Sequence, residues 1–170
     1  MLIKIAAAAL LAAVLWWLLR LALALRWSKL SREAARKAEE AAGRRVVAEL
    51  PLPSGEIELL LEDGGEFQWG SARAEKASIR GARLLLNGGV MAECSHATLT
   101  LPPPEATEAF DGRERWEVAL YLTGGAVTVI PCGTLREGVS RETANRVFEA
   151  VRACLLARAA RAPGAEGSRS

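Results

Sequence analysis

Residues 5–25 (IAAAALLAAVLWWLLRLALAL) form one apolar run interrupted only by Arg20. A helix rises about 1.5 Å per residue, and about 20 apolar residues cover a hydrocarbon core of about 30 Å. The run therefore predicts a transmembrane anchor over residues 1–27. Arg20 is close enough to Arg26 along such a helix for its side chain to reach the headgroups. Trp16, Trp17 and Trp27 suit an interfacial belt. Residues 28–45 predict a helical stalk. Its apolar positions are almost all alanine, so it has little to bury. Glu33 and Lys37, and Arg36 and Glu40, are opposite charges four residues apart, and Gly43 is a natural stop.

From Val46 the hydrophobic period changes to two. Ile57, Leu59 and Leu61 alternate with glutamates. Phe67 and Trp69 alternate with Glu66 and Gln68. Trp116, Val118, Leu120 and Leu122 keep one parity, and Val127 and Val129 continue the pattern. Such alternation marks strands with one buried face. Asp63-Gly64-Gly65, Asn87-Gly88-Gly89 and Thr123-Gly124-Gly125 stand where hairpin turns are needed. Between residues 77 and 101 the parity breaks, which predicts a bulge or break near Ser95 and His96. Three prolines at 102–104 end that strand, and an exposed loop is expected up to Gly112. The last element is a helix, with Ser140 as its expected N-cap and Glu142 in its first turn. Ala144, Val147, Phe148, Val151, Cys154 and Leu155 form its apolar stripe. Residues 162–170 read as a disordered tail.

The β domain over residues 46–161 can bury one modest core. Within it, residues 116–155 (WEVALYLTGGAVTVIPCGTLREGVSRETANRVFEAVRACL) resemble the closing part of bacterial pleckstrin-homology-like (PH-like) domains, which end in a hairpin, a short link and a helix. Residues 83–101 (RLLLNGGVMAECSHATLTL) resemble their central hairpin. The resemblance implies a small antiparallel barrel of about seven strands, two near-orthogonal sheets plugged by the C-terminal amphipathic helix. It also implies a place beside a membrane segment and a scaffolding role. The alternative is another small antiparallel sheet packed by one helix.

Charge divides along the chain. Residues 1–45 hold nine Lys/Arg and three acids, and residues 46–170 hold thirteen and seventeen, so +6 and −4 sum to the overall +2. The basic residues flanking the apolar run are Arg20, Arg26, Lys29, Arg32, Arg36, Lys37, Arg44 and Arg45. The positive-inside rule then predicts a single-pass protein of the inner (plasma) membrane with its β domain in the cytoplasm. The alternative is export after signal-peptide cleavage, since Ala22-Leu23-Ala24 fits a small-x-small site. An acidic β domain argues against nucleic acid as a partner. Three cysteines, Cys94, Cys132 and Cys154, share no short spacing and do not suggest a disulfide framework.

Candidate chemistry is sparse. The single histidine, His96, stands two residues after Cys94, and no third or fourth metal ligand follows at usable spacing. A nucleophilic Cys94 or Cys132 paired with His96 is the one enzyme reading, and no orienting third group accompanies it. No phosphate-binding glycine loop, nucleophile elbow or Cys-x-x-Cys motif occurs, so neither an enzyme nor a cofactor is expected. Arg73, Lys76, Arg80 and Arg83 form a basic cluster suited to anionic lipid headgroups. The reading that unites these features is a membrane-anchored interaction or scaffold module. Its partners would be the lipid bilayer and another membrane protein, with homo-oligomers allowed. The alternatives are an anionic-lipid-contacting module and a cysteine-dependent enzyme.

Overall fold

A computed structural model describes residues 2–52, 54, 56–95, 101–102, 114–133 and 137–161, with the side chains of 2–12, 24–25, 27–29 and 137–138 outside the description. The chain forms two compact units, Met1–Ala42 and Gly43–Ser170. The first is a single helix, α1 (Leu2–Ala41). Gly43, with φ +80°, ends it in the left-handed conformation usual after a helix C-terminus. On its exposed polar part Arg36 pairs with Glu40 at 2.9 Å.

The expectation of a transmembrane anchor is corrected here. Among the described residues no helix is long and apolar enough to cross a membrane. Arg20 falls inside the apolar run and Arg26 directly follows it. Arg20 also does not need a headgroup to be partnered, because its guanidinium lies 4.6 Å from the ring centroid of Trp16. The single-pass assignment and the inner-membrane location that rested on the anchor fall with it.

The second unit contains eight strands and a long C-terminal helix. They are β1 (Arg45–Pro51), β2 (Ile57–Glu62), β3 (Glu66–Trp69), β4 (Ala72–Glu75), β5 (Ile79–Leu86), β6 (Gly89–Ser95), β7 (Trp116–Leu122), β8 (Val127–Gly133) and α2 (Glu137–Arg161). The strands build two antiparallel four-stranded sheets, ordered β1-β2-β3-β4 and β6-β5-β7-β8. Alternation places the core faces of β3 and β7 as expected, but not those of β2 and β8: Leu60, Ile130 and Cys132 are buried, while Ile57 and Leu59 are half-buried and Val127 and Val129 exposed. Leu50, Leu60, Phe67 and Trp69 point from the first sheet into the core. Ala82, Leu84, Trp116, Val118, Leu120, Ile130 and Cys132 do so from the second. α2 lays Ala144, Val147, Phe148, Val151 and Leu155 into the same core and packs on β1, β5, β7 and β8. Both central residues of the β5–β6 turn, Asn87 and Gly88, have positive φ, as a tight hairpin requires.

The closed barrel of about seven strands is also corrected. The C-terminal helix is present, but the sheets do not join into one ladder. Between β4 and β5 the chain turns at Lys76, whose N–H donates to Gly65 O, and Ser78 N–H donates back to Glu75 O. At the other seam β1 ends on Pro51 and β8 carries Pro131, neither of which can donate to a ladder. These ends meet by close packing instead. A Cβ built on Gly133 would lie 2.5 Å from Pro51 Cγ, and Gly133 has φ +108°. Nor is the second sheet a simple meander, since β7 pairs with β5 and not with β6. The helix start differs as well. α2 begins at Glu137, so Ser140 is not the cap but a buried residue in the first turn, facing Gly133. His96, the expected loop to Gly112 and the expected disordered tail lie outside the described residues.

Gly133 thus tests the β1–β8 seam. Gly133→Ala adds a Cβ to a crowded left-handed position and should cost about 1–3 kcal/mol in urea unfolding. An unchanged unfolding midpoint would show that the seam is not tight.

Candidate functional site

The outer face of the second sheet departs from the usual wet exterior. Strand pairing places Gly81, Arg83 and Leu85 of β5 beside Tyr121, Ala119 and Glu117 of β7, and these beside Val127, Val129 and Pro131 of β8. Leu85, Ala119 and Tyr121 are buried together with Leu101, which comes from the connection between β6 and β7. Of that connection, Leu101 and Pro102 lie against the outer face of the sheet. Gly81 makes room for it: a Cβ there would approach Leu101 Cδ2 and Cys94 O, each at 2.9 Å.

Arg83 holds the crossing chain. It is only 7% exposed although it lies on the outer face. Its guanidinium donates to Glu93 at 2.6 Å, to the Tyr121 hydroxyl at 3.0 Å, to Leu101 O at 3.3 Å and to Pro102 O. Its carbon centre lies 5.2 Å from the Tyr121 ring centroid. Burial opposes the charge, but the hydrogen bonds to Glu93 and Tyr121 more than offset it and hold the guanidinium above its ordinary value. A buried cation with several acceptors is satisfied rather than strained.

Beside this clamp the same face changes character. Val127 and Val129 are 48% and 44% exposed, and Pro131 is exposed. They form one row on β8, the last strand of its sheet. No charged side chain occurs in β8 (VTVIPCG). Edge strands are commonly guarded by charged residues, proline, bulges or covering loops; β8 carries Pro131 and a register shift at its end but no charge, and Val127 and Val129 are its exposed apolar pair. Sequence reading placed Val127 and Val129 on the apolar face of a strand; the structure turns them outward, since Ile130 and Cys132 of the same strand fill the core, and makes that strand an edge.

The sequence-derived basic cluster is divided between two sheets. Arg73 is exposed on β4 and Arg80 is exposed on β5. Lys76 turns inward, pairing with Glu62 at 2.9 Å, donating to Asp63 O and lying 5.2 Å from the Phe67 ring centroid. Arg83 is consumed by the clamp. The structure brings none of the four side chains together. Of the basic residues flanking the apolar run, Arg26, Arg32 and Lys37 are exposed on α1, Arg36 pairs with Glu40, and Lys29 lies among the undescribed side chains. Arg44 is half-buried near Asp63, and Arg45 pairs with Glu62 at 3.4 Å.

The cysteines show no activation. Burial pushes all three thiols up, and Cys132, fully buried in the core, is pushed up to about 12. A nucleophilic cysteine needs the opposite shift. His96, the expected partner, lies outside the described residues. Among the described residues no group of three or more His, Cys, Asp or Glu could hold a metal ion. A shallow cleft of about 330 Å³ lies at the β2–β3 turn, lined by Asp63, Gly65, Glu66, Glu75 and Ala77. Asp63 is already committed there. Its Oδ1 accepts from Gly65 N and Glu66 N at 2.7 and 2.8 Å, and these bonds hold its carboxyl below the usual range.

Two measurements check this geometry. Arg83→Met should lose about 1–3 kcal/mol of stability, because the Leu101 and Pro102 carbonyls lose their donor, while Tyr121→Phe should lose less. Equal, negligible losses would mean that the clamp does not hold the crossing chain. Cys132 has a folded pKa above its unfolded value, so its contribution is present below about pH 9 and is lost as pH rises toward about 12. Cys132→Ser should flatten the decline of unfolding free energy across that alkaline window, and an unaltered slope would contradict the assignment. No family model, curated protein or solved structure matches this chain.

Proposed function

We propose that the unit Gly43–Ser170 is a non-catalytic protein-docking module that binds its partner on the β8 side of the second sheet. The observation that carries this reading is the exposed row of Val127, Val129 and Pro131 on an uncharged edge strand. Apolar side chains in a row on a sheet edge gain free energy only when another chain covers them. Two further facts support it. The polar groups that could have formed a reacting centre are engaged inside the unit: Lys76 with Glu62, Arg83 with Glu93, and Asp63 with its own turn. Burial pushes all three thiols up, which disfavours the thiolate a nucleophile needs.

A photo-crosslinking residue placed at Val129 in the full chain, and separately at exposed Arg141 of α2, tests the proposal in cells. Position 129 should capture a distinct polypeptide several-fold more than position 141. Equal capture at both positions, or none at 129, would remove the docking reading.

A further inference from the structure

We infer that α1 seats the apolar stretch around Trp16 and Trp17 in an anionic lipid surface, with Arg20 and Arg26 at the level of the headgroups. This concerns the first unit alone and does not depend on docking at β8. Six neighbours in the chain, Val14, Leu15, Trp16, Trp17, Leu18 and Leu19, are 48–65% exposed. Successive residues of a helix are about 100° apart, so six in a row surround its axis. Leu21 and Leu23, beyond Arg20, are exposed as well. A helix that faces water normally keeps one polar side. The stretch from Val14 to Leu19 has none.

The all-round apolar wall selects the occupant. A second copy laid alongside covers one seam of a helix, and a groove on a folded protein covers one stripe. Both leave the opposite wall in water, whereas acyl chains close round a helix on every side. Charge then selects the headgroup. Residues 1–32 contain no Asp or Glu, and their five Lys/Arg include Arg20 and Arg26, which are both exposed. Each basic side chain near an anionic lipid surface gains about fivefold in affinity. The depth follows from one contact. The Arg20 guanidinium stands 4.6 Å from the Trp16 ring centroid, so a cation and an amphipathic ring share one turn. Tryptophan favours the boundary between acyl chains and headgroups. The ring face takes up none of the guanidinium N–H donors, and phosphate oxygens at that boundary accept them. Arg26 follows about 9 Å further along the helix, on the headgroup side. Such a seat needs one leaflet only. It is distinct from a crossing, for which no helix among the described residues is long and apolar enough.

The full chain, added from mild detergent to preformed vesicles and recovered by flotation, tests the seat. The vesicles are phosphatidylcholine alone, or equal parts phosphatidylcholine and phosphatidylglycerol. At low salt the chain should bind the mixed vesicles about twenty-five-fold more tightly than an Arg20→Gln, Arg26→Gln chain does, and about 1 M salt should erase the difference. Both chains should bind the neutral vesicles alike. Vesicle lipid brominated on its acyl chains should quench the tryptophan emission, and Trp16→Phe with Trp17→Phe should remove most of that quenching. Every variant should keep the thermal unfolding midpoint, because α1 is a unit separate from the sheets. The inference is overturned by equal binding to both vesicle types, by an unaltered affinity of the Arg20→Gln, Arg26→Gln chain, or by quenching that survives the two Phe changes. A chain that stays off the vesicles and forms a discrete dimer in detergent would identify a second copy as the occupant and overturn it too.

Discussion

The second sheet depends on one buried cation. Arg83 ties Leu101 and Pro102, of the connection between β6 and β7, to the outer face formed by β5 and β7. The guanidinium converts a crossing segment, normally a source of unsatisfied carbonyls, into a bonded one by donating to Leu101 and Pro102 while Glu93 and Tyr121 balance its own requirements. Gly81 supplies the space and Leu85, Ala119 and Tyr121 supply the apolar floor. The strand order β6-β5-β7-β8 and the clamp are thus two descriptions of one arrangement.

The two sheets, lacking a continuous ladder, are joined by side chains at their corners. At one corner Lys76 closes over Phe67 and pairs with Glu62, and Arg158 from α2 donates to Lys76 O at 2.6 Å and Ile79 O at 2.8 Å. The end of the helix is therefore tied to the turn between the sheets. At the other corner Gly133 lets β8 approach Pro51 of β1. Between them α2 covers the core. Backbone hydrogen bonds set each sheet, while apolar burial and these few polar ties set how the sheets meet.

Leaving the sheets unjoined has a functional consequence. A closed barrel has no edges. Two open sheets have four, and β8 is the one whose outward row is both apolar and uncharged. That edge stays out of a closed ladder through the same prolines and close packing that keep β1 and β8 from pairing. The engaged lysine and arginine and the protonated thiols fit a surface-binding role, in which the interior is inert and the edge is available.

Local structure was legible in the sequence because it depends on short-range periodicity. The alternation of Phe67 with Gln68, or of Val118 with Ala119, fixes a strand and its buried face through backbone geometry alone. The Asn87-Gly88 turn and the apolar stripe from Ala144 to Leu155 are written in neighbouring residues in the same way. Arg83, by contrast, looked like one member of a basic cluster, because nothing within its own strand reveals that Leu101, Pro102 and Tyr121 converge on it. Val127 looked like any strand residue, since an edge is defined by the strand that is missing beside it. Residues 5–25 looked like a bilayer span on length and apolarity, whereas among the described residues no helix is long and apolar enough to cross a membrane. The sequence by itself determined which long segments are strands and helices and the apolar stripe of α2, because those properties repeat every two or 3.6 residues, whereas the buried faces of β2 and β8 were set by their place in the sheets. Only the tertiary structure decided the strand order, the open corners and the free edge, because these arise from contacts between residues far apart in the chain, where no local period carries a signal.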